Sequence, residues 1–553
     1  MDKNWLKDFD EDVKNWRHTW ESRLDPESPI HFEYPPYPAK WWFNKWAEET
    51  PEKPYLLMGD IVLGYKVCND ISRRIANALL DLGVKKGDRV AIMAPNVPQY
   101  VLALQALFKT GMIEVPTNPL YTLPELEHQM ADSGAETIIV MAMFAAHAIT
   151  LLKDPNSPVK RVICFQIPSN PIEIEKGEGI YDLNDLMGNA SNAEPDIEVT
   201  AEDIARLQYT GGTTGIPKGC VLTNAMIMSQ AIRTSTVSSK GFQVVAREDY
   251  RSLGAIPLHH VYGFNFNVSV NLYAGGNIVL VAVPNADNLL AAIQKHSPNI
   301  FATVPAMIIG LINHSDIANA DISSLKGMFS GSAPLAVETL KEFERLTGGH
   351  IIEGYGLSET INIITANSFG NRKYGSVGLV WHDTDLLIVD AETGTKVMPR
   401  GEFGEIIARG PQVISEYWQK PEETAAAIRG GWLYTGDIGY IDEEGFVFIV
   451  DRKKDIIICS GFNVYPRDVE EVLFANPNIV EAAVIGVPDP KRGETVKAFV
   501  VLKPDVTVSA EEIIAFCRES LAPYKVPTQI EFMEALPRTA VGKADKKALQ
   551  ALG

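Results

Sequence analysis

Residues 209 to 219 form a loop whose composition suits the binding of a polyphosphate. The segment reads Y-T-G-G-T-T-G-I-P-K-G, with four glycines, three threonines and one lysine. Glycine lets the backbone approach a ligand and turn N–H groups towards its oxygens, while threonine hydroxyls and a lysine add donors and charge. It is not a Walker loop, because Lys218 follows Pro217 and precedes Gly219. We predict an oxyanion site here, and a flexible Gly/Thr surface loop is the alternative.

Four later segments carry more polar function than packing requires. Glu353–Thr360 offers an aromatic ring, a hydroxyl and a carboxylate between glycines, and Gly431–Asp437 ends in an acid at a predicted strand-to-turn exit. Asp451–Gly461 is a basic cluster that runs into an apolar strand and then Ser-Gly, and Leu536–Lys543 sets one lysine on a loop bounded by proline and glycine. Each segment alone is a weak signal, whereas their order and spacing together indicate one composite site.

The overall composition is that of a globular protein with a small-molecule site. A length of 553 residues indicates more than one domain, and 46% hydrophobic with 22% charged residues is an ordinary globular composition. No apolar run reaches the ~18 residues that cross a bilayer, and residues 1–21 do not resemble a signal peptide, so we expect a cytoplasmic protein. The net charge of -20 disfavours broad binding to nucleic acid. Contact with a membrane surface and homodimer formation remain compatible with the sequence.

The five cysteines and ten histidines do not form a recognisable metal site. The cysteines are widely spaced without a C-x-x-C pair, which argues against a disulfide framework or a zinc site. We expect any metal to be held by phosphate and carboxylate oxygens.

The periodicity of the chain predicts alternating helices and strands. Ile71, Ile75, Ala78, Leu79 and Leu82 lie on one helical face that Gly83 can end. Apolar runs predict buried parallel strands and layered α/β units. The predicted strands are Arg89–Met93, Thr137–Met141, Arg161–Phe165, Ile204–Gln208, Cys220–Leu222, Asn277–Val281 and Ile300–Val304. The glycine-rich loop lies between the fourth and fifth of these, and Thr223 is expected to cap the next helix.

The sequence changes character near Asp451, and about a hundred residues follow, enough for a small α+β domain. Glu481–Val487 and Lys497–Leu502 read as strands. Ser509 with Glu512 is a capping box that opens a helix extending through Leu521.

From about residue 40 to its end, the chain resembles the adenylate-forming superfamily, which contains acyl-CoA synthetases, firefly luciferase and peptide-synthetase adenylation domains. The motifs Y-T-G-G-T-T-G-I-P-K-G, G-Y-G-L-S-E, G-W-L-Y-T-G-D and D-R-K-K-D-I-I-I-C-S-G-F-N-V-Y-P are most similar to long-chain fatty acid–CoA ligases. The resemblance implies an N-terminal AMP- and acyl-binding domain over 1–451, a hinge at 452–454 and a mobile C-terminal lid over 455–553. The expected fold is therefore α/β, with a large layered N-terminal domain and a small α+β C-terminal domain.

The resemblance also implies residues for ATP and Mg²⁺. Lys543 is expected to bridge the substrate carboxylate and the α-phosphate, Glu359 to hold the metal, and Tyr355 to stack on adenine. Asp437 and Arg452 are expected to bind the ribose hydroxyls. The implied catalytic residues are Lys543, Thr210, His260 and Glu359. The implied nucleotide-binding residues are Thr210, Gly211, Gly212, Thr213, Thr214, Gly215, Lys218, Gly331, Ser332, Ala333, Pro334, Glu353, Gly354, Tyr355, Gly356, Ser358, Asp437, Arg452 and Lys543.

Two positions depart from the family pattern. Ser358 stands where threonine is usual, which keeps the hydroxyl thought to touch the α-phosphate. Ala544-Asp545-Lys546-Lys547 follows Lys543 in place of a basic, leucine-containing stretch.

The remaining implied roles concern the hinge, CoA and the acid. Lys454 is expected to be the pivot of the small domain, although a solvated charge run fits it too. Residues expected at the CoA site are Ser460, Gly461, Phe462, Arg492 and Lys525, the last two fitting plain exposed cations equally well. Residues expected at the acyl site are Tyr262, Phe264, Val304 and Met307, with His260 beside the α-phosphate; ordinary strand and helix packing of Phe301–Leu311 predicts the same letters.

Each assignment also has a purely structural reading. Lys543 is also compatible with an ordinary exposed lysine. Glu359 is compatible with an acidic residue at the start of a helix, and Asp437 with a turn residue. Tyr355 fits a core aromatic, and His260 a satisfied structural histidine.

The sequence thus predicts an ATP- and Mg²⁺-dependent acyl-CoA synthetase that activates medium- or long-chain fatty acids through an acyl-adenylate and uses CoA as co-substrate. Three alternatives stay open: an aryl- or short-acid-CoA ligase, an acyl-AMP ligase that delivers to a carrier protein, and a binding protein without catalysis.

Overall fold

The computed structural model describes residues 5–25, 27–167, 172–210, 217–238, 249–333, 335–368, 370–459, 462–504, 506–538 and 544–552. In this part of the chain the strands form four sheets, three in the large N-terminal part and one in the C-terminal part. The predicted fold class is confirmed. The helices span Trp5–Glu21, Ala39–Glu49, Tyr65–Asp81, Pro98–Thr110, Leu123–Ser133, Ala145–Lys153, Leu183–Asn189, Asn224–Thr236, Val261–Gly263, Phe264–Ser269 (a π-helix), Val270–Ala274, Ala286–His296, Pro305–Ile312, Val337–Thr347, Pro421–Ala427, Pro466–Phe474, Ala510–Ser520 and Lys546–Gln550.

A seven-stranded sheet carries the glycine-rich loop. Its strands, in order across the sheet, are Ile180–Asp182, Arg161–Phe165, Thr137–Met141, Arg89–Met93, Ile113–Thr117, Ile204–Tyr209 and Gly219–Thr223. The first six are parallel and largely buried, as predicted for strands covered by helices on both faces. The last two form an antiparallel hairpin around the loop. The Thr223 hydroxyl accepts the N–H of Met226, which confirms the predicted helix cap.

A nine-stranded sheet packs beside the first. Its order is Leu379–Val380, Thr365–Ala366, His350–Tyr355, Gly327–Ser330, Ile300–Thr303, Arg251–Gly254, Asn277–Leu280, Pro54–Met58 and Ile61–Gly64. Its six central strands are parallel. Parallel strands point their carboxyl ends to one edge, which brings the segments after Gly254, Ser330 and Tyr355 to the same side of the molecule.

A third, antiparallel sheet was not foreseen by the sequence analysis, which predicted buried parallel strands from apolar runs elsewhere in the chain. It consists of Asp385–Val389, Gly404–Arg409, Ile428–Arg429, Trp432–Ile441 and Val447–Arg452. The predicted strand-to-turn exit at Asp437 is wrong, because the strand continues through this residue to Ile441. Gly436 adopts a φ of +72° within this strand, a conformation that glycine also takes in turns. The glycine therefore made the segment look like a turn in the sequence.

The N-terminal helix, Trp5–Glu21, packs on the antiparallel sheet. Phe9, Val13 and Trp20 are buried against its strands, and an Arg17 guanidinium nitrogen lies 2.5 Å from Asp385 Oδ1. Trp20 is therefore part of a buried core and not an exposed aromatic residue.

The C-terminal residues form a separate small sheet with its own core. Its strands are Phe462–Val464, Ile457–Cys459, Gly493–Leu502, Ile479–Asp489 and Gln529–Phe532. The predicted strands and the capping box of Ser509 and Glu512 are confirmed, although the helix ends one residue early, at Ser520. The domain boundaries themselves stay a prediction.

A buried ion pair joins neighbouring strands of the seven-stranded sheet, and its arginine also reaches the segment that follows a strand of the nine-stranded sheet. An Arg206 guanidinium nitrogen lies 2.5 Å from Glu114 Oε2, and both side chains are fully buried. Arg206 also donates to the backbone oxygens of Leu258 and His259, at 3.0 and 3.1 Å, and its guanidinium lies 4.1 Å from the ring centroid of Phe264. The seven-stranded sheet thereby fixes the segment that follows strand Arg251–Gly254.

None of the described helices is long and apolar enough to cross a membrane. All five cysteines are buried as free thiols.

Replacing Arg206 by methionine is expected to destabilise the protein strongly. The variant leaves the Glu114 carboxylate buried without its cation, and breaking such a pair costs about 3–5 kcal/mol. We expect calorimetry to show an apparent Tm lower by about 5 °C or more. The control is Lys153→Met at the exposed Lys153–Glu175 pair, which should shift Tm by less than about 1 °C. Equal shifts in the two variants would refute a special role for the buried pair.

Candidate active site

Two hydrogen bonds between Thr210 and Lys218 close the neck of the glycine-rich loop. Thr210 N–H donates to Lys218 O at 3.0 Å, and Lys218 N–H donates to Thr210 Oγ1 at 3.3 Å. Helix Leu123–Ser133 supports the neck from outside, since His128 Nε2 lies 3.2 Å from Pro217 O and Tyr209 donates to Asp132 at 2.8 Å. Both ends of the loop are therefore held in place by the sheet and by this helix.

Lys218 is linked through one tyrosine, Tyr417, to the carboxylate of Glu359, which lies far away in sequence. Its ammonium lies 4.8 Å from the ring centroid of Tyr417, whose hydroxyl donates to Glu359 Oε1 at 2.8 Å. Tyr417 is held beside the hairpin because Trp418 N–H donates to Gly219 O at 2.7 Å. The loop neck and Glu359 thus meet across one tyrosine ring.

Tyr355, Asp437 and Arg452 form a second polar cluster. Tyr355 donates to Asp437 Oδ2 at 2.5 Å, and Arg452 Nε lies 2.7 Å from Asp437 Oδ1. Asp437 is 3% exposed and faces Arg452 across paired strands of the antiparallel sheet. Burial opposes the charge of Arg452, but the carboxylates of Asp437 and Glu359 outweigh it and raise the pKa of Arg452. Burial and Asp437 raise the pKa of Tyr355, so its hydroxyl stays a donor.

The turn between these clusters requires glycine. A Cβ on Gly356 would overlap the carbonyl oxygen of Asn362, which has a φ of +89°. Ser358 and Glu359 lie in the 3₁₀ turn Ser358–Thr360 that follows, so Glu359 does open a short helical turn. The tight turn places Tyr355 and Glu359 on the same side of the molecule.

Gly331, Ser332 and Ala333 follow strand Gly327–Ser330 at the same edge of the nine-stranded sheet. Ser332 has a φ of +69°, a conformation that L-residues seldom adopt. Nearby, Glu353 accepts the N–H of Leu335 at 3.1 Å, and burial raises the pKa of this carboxyl despite that bond. Gly354 lies in the strand that leads to Tyr355.

The segment containing His259 and His260 is anchored by buried amides. Asn96 donates to Ile256 O at 2.9 Å, and Gln208 donates to His259 O at 3.1 Å. His260 Nδ1 accepts the N–H of Tyr262 at 3.2 Å and so caps the following helix. Burial, and the nearby charges of His260 and Arg206, lower the pKa of His259 to about 3.

The four residues expected at the acyl site share one region but differ in burial. Tyr262 donates to Phe329 O at 2.6 Å, and Phe264 is fully buried beneath Arg206. Val304 and Met307 are half-buried and pack against the cluster that contains Tyr262. Ile300–Thr303 is a strand and Pro305–Ile312 is a helix, as the packing interpretation of this apolar segment predicted.

The residues expected at the CoA site and hinge lie at or beyond the end of the antiparallel sheet. Phe462 is 56% exposed and stacks on Tyr524 with ring centroids 4.7 Å apart. Lys525 Nζ forms an ion pair with Asp468 Oδ2 at 2.5 Å, and Arg492 is exposed. Lys454 Nζ lies 3.8 Å from Asp455 Oδ1.

Several predicted site residues fall outside the described part of the chain. They are Gly211, Gly212, Thr213, Thr214, Gly215, Pro334, Ser460, Gly461 and Lys543.

Glu359 is the carboxylate that stands beside the loop neck and is best placed to hold a cation. Among the described residues, no group of three or more histidine, cysteine or acidic side chains forms a metal site. Mg²⁺ commonly uses one or two carboxylates and takes its other ligands from phosphates and water. The residues therefore fit a magnesium ion that arrives with a nucleotide.

Sequence reasoning missed the partners that hold these groups. Tyr417 contacts the predicted metal ligand Glu359, while His128 and Gln208 contact Pro217 and His259, the direct neighbours of predicted site residues. None of the three was singled out from the sequence. In each contact the two residues are 51 to 89 positions apart in the sequence, so local sequence patterns cannot predict the contact.

Two family models match the chain. The AMP-binding enzyme model covers residues 43–418, and the AMP-binding enzyme C-terminal domain model covers residues 468–543. The long-chain-fatty-acid–CoA ligase of Bacillus subtilis is 43% identical over 487 residues, which are 84% of this chain and 86% of that protein.

Solved structures with ligands have the same fold. The anthranilate CoA ligase in complex with anthranoyl-AMP has a TM-score of 0.84 and 28% identity, over 94% of this chain and 97% of that one. The o-succinylbenzoate coenzyme A synthetase of Bacillus subtilis in complex with ATP and magnesium ion has a TM-score of 0.79 and 30% identity, over 93% and 100%.

The buried histidines are expected to make stability fall as the pH falls. The pKa of His259 drops from 6.5 to about 3 on folding, and burial lowers that of His382 to about 4. The unfolded chain therefore binds more protons between about pH 6.5 and 4, and each histidine costs about 1.4 kcal/mol per pH unit there. Denaturant midpoints measured at about pH 7, 6 and 5 should decrease in that order.

The variant His259→Asn removes one of the two groups and should flatten this pH dependence, whatever its effect on absolute stability. His147→Asn is the control, because His147 is exposed and the slope should persist. An unchanged slope in His259→Asn would show that this residue does not contribute.

Proposed function

Because the chain belongs to the AMP-binding enzyme family, we propose that it is an AMP-forming acyl-CoA synthetase that activates a medium- or long-chain fatty acid with ATP and transfers the acyl group to CoA. One observation carries the proposal. Lys218 at the loop neck packs on Tyr417, which donates to Glu359. Against the effect of burial, Asp437 and Glu359 raise the pKa of Arg452 in the Tyr355–Asp437–Arg452 cluster, so groups from three sheets lie near one another. These groups match the parts of a magnesium nucleotide in order, from polyphosphate to ribose.

The glycine-rich loop would bind the phosphate groups of the nucleotide. Thr210 supplies a hydroxyl and Lys218 a charge at its neck, and residues Gly211 to Gly215 would add backbone N–H groups and two further hydroxyls. Such oriented donors suit a polyanion, and one of them is typically worth about 3 kcal/mol in a transition state that gathers negative charge. The chain's net charge of -20 makes this local concentration of donors necessary.

Glu359 would hold the magnesium ion, with Tyr417 fixing its carboxylate through the 2.8 Å hydrogen bond. When bound, the ion neutralises charge on the phosphate oxygens. Lys218 packs on the ring of the same tyrosine, so Tyr417 holds both the ammonium and the proposed metal ligand.

The cluster of Tyr355, Asp437 and Arg452 would bind the nucleoside. The Tyr355 ring would stack on adenine, while the Asp437 carboxylate accepts from ribose hydroxyls and Arg452 donates to them. All three side chains already hold one another in place, so little conformational entropy remains to be lost on binding. Gly331, Ser332, Ala333 and Glu353 lie at the same sheet edge and would border the purine, as would Pro334, which lies outside the described residues.

The reaction has two displacements. A carboxylate oxygen of the acid attacks the α-phosphorus and expels pyrophosphate, and the CoA thiolate then attacks the acyl carbonyl and expels AMP. Lys543 would neutralise the two anions brought together in the first step. His260 would stand beside the α-phosphate, and Ser358 would donate to it.

A fatty acid is the substrate that the sequence comparison favours, because a long-chain-fatty-acid–CoA ligase is 43% identical to this chain. Val304 and Met307 offer partly exposed apolar surface near Tyr262, where an acyl chain could lie. The second candidate is an aryl acid, since the anthranilate ligase has a very similar fold.

CoA would approach the C-terminal unit. Phe462 is exposed there, and Arg492 and Lys525 are cations on the same unit. Ser460 and Gly461 would line the pantetheine channel. Lys525 would have to exchange its ion pair with Asp468 for a CoA phosphate. We further propose that the enzyme acts in the cytoplasm.

A panel of acids tests the proposal. Palmitate, decanoate, benzoate and acetate are supplied at equal ATP and CoA, and AMP release and thioester formation are measured. We expect the fatty acids to have the highest kcat/KM, and a preference for benzoate would indicate the aryl ligase instead. AMP release that never leads to a CoA thioester would indicate delivery to a carrier protein. Absence of pyrophosphate exchange with every acid would reject the enzyme assignment.

Lys543→Ala is expected to separate the two displacements. Adenylation, measured as pyrophosphate exchange, should fall by about a hundredfold, since one charged donor is worth about 3 kcal/mol. Thioester formation from supplied acyl-AMP should be largely kept. Lys503→Ala, at an exposed lysine of the same C-terminal unit, should leave both steps unchanged. An unaffected first step in Lys543→Ala would remove that residue from the mechanism.

A further inference from the structure

Residues 412–418 form a segment that contacts the hairpin of the glycine-rich loop on one side and the turn of the proposed metal ligand on the other. On the hairpin side, Trp418 N–H donates to Gly219 O at 2.7 Å. Tyr417 and Cys220 form a β-bridge next to this bond. The segment is therefore fixed to the edge strand that leaves the glycine-rich loop.

On its other side, the segment holds the turn that carries Glu359. Ile414 N–H donates to Glu359 O at 2.9 Å, and the buried side-chain amide of Gln412 donates to Ile363 O at 3.3 Å. Tyr417 adds a side-chain contact, since its hydroxyl donates to Glu359 Oε1 at 2.8 Å. One short stretch of chain thus fixes both the backbone and the carboxylate of Glu359.

Tyr417 is the residue of this segment whose side chain reaches both neighbours. It is 5% exposed, and the ammonium of Lys218 lies 4.8 Å from its ring centroid. Its backbone is held as well, because its N–H donates to Thr424 Oγ1 at 3.0 Å. Burial, and then the charge of Glu359, raise the pKa of Tyr417, so the hydroxyl stays protonated and remains a donor. The ring and the hydroxyl serve different partners, and replacement by phenylalanine separates the two interactions.

We propose that Tyr417 is a positioning residue that strengthens nucleotide binding in the presence of magnesium, because its hydroxyl orients the Glu359 carboxylate for the metal while its ring sets Lys218 for the phosphates. A group that hydrogen-bonds a metal ligand fixes the orientation of that ligand, and its loss typically lowers metal affinity by about 10- to 100-fold. This role rests on the proposed function, in which Glu359 is the metal ligand.

The test measures ATP binding to Tyr417→Phe by titration calorimetry, once with excess Mg²⁺ and once with EDTA. The variant keeps the ring beside Lys218 and loses only the hydroxyl. The Kd for ATP with Mg²⁺ should therefore rise about tenfold, whereas the Kd in EDTA should change less than about twofold. A merely structural defect would weaken binding equally under both conditions.

Tyr417→Leu removes the ring as well as the hydroxyl. Lys218 then loses its cation–π contact, so ATP binding should also weaken in EDTA, by about two- to fivefold. Unchanged binding of this variant in EDTA would remove the part assigned to the ring.

Tyr34→Phe is the matched control, because Tyr34 is half-buried and also donates to a carboxylate, Asp383 Oδ2, at 2.6 Å. Both of its Kd values should stay within about twofold of the wild-type values. Glu359→Gln supplies an independent measurement. It should cause the same loss of affinity confined to Mg²⁺, and adding Tyr417→Phe to it should produce little further loss, because the two side chains act through one hydrogen bond.

Four results would overturn the role of Tyr417: an equal loss with and without Mg²⁺, no loss in either condition, a loss confined to Mg²⁺ in Tyr34→Phe, or full additivity of Tyr417→Phe with Glu359→Gln. Wild-type protein that binds ATP neither with Mg²⁺ nor with EDTA would instead reject the proposed function.

Discussion

The Arg206–Glu114 pair is the interaction on which the geometry of the site most depends. It is fully buried between neighbouring strands of the seven-stranded sheet, and the same guanidinium holds the backbone of Leu258 and His259. Strand Ile204–Tyr209, which carries Arg206, also leads directly into the glycine-rich loop. One side chain therefore sets the loop of one sheet relative to the His260 segment of the other. Burying a charge is costly, and Glu114 compensates the charge of Arg206 while the remaining N–H groups of the arginine make directional bonds to the second segment.

The site itself is assembled from pairs of residues that are distant in sequence. Tyr355 reaches Asp437 across 82 positions, and Tyr417 reaches Glu359 across 58. The side chains in these pairs hold one another through hydrogen bonds and an ion pair, which a nucleotide bound as proposed would extend. Such preorganisation is what electrostatic catalysis requires, since the donors need not reorient during the reaction.

The sequence predicted the fold class, which is confirmed, while the roles of the site residues stay predictions. Apolar runs located seven strands of the two large sheets to within a residue or two because such runs are a local signal, but other strands there, such as Ile113–Thr117 and Gly327–Ser330, were not predicted. The antiparallel sheet was not predicted either, and in its longest strand the positive φ of Gly436 imitates a turn. The supporting residues Tyr417, His128 and Gln208 escaped because a hydrogen bond between remote segments leaves no trace in the pattern of either one. Lys543 and most of the loop are assigned by motif alone.

The N-terminal helix has a consequence for the order in which the protein is made. Its buried face, with Phe9, Val13 and Trp20, packs on strands synthesised far later, and Arg17 is separated from its partner Asp385 by 368 positions. At about 5–20 residues per second, the ribosome needs roughly 20 to 70 s to produce that partner. Throughout this interval the apolar face of this segment lacks its docking surface, so its burial must wait until most of the chain has been made.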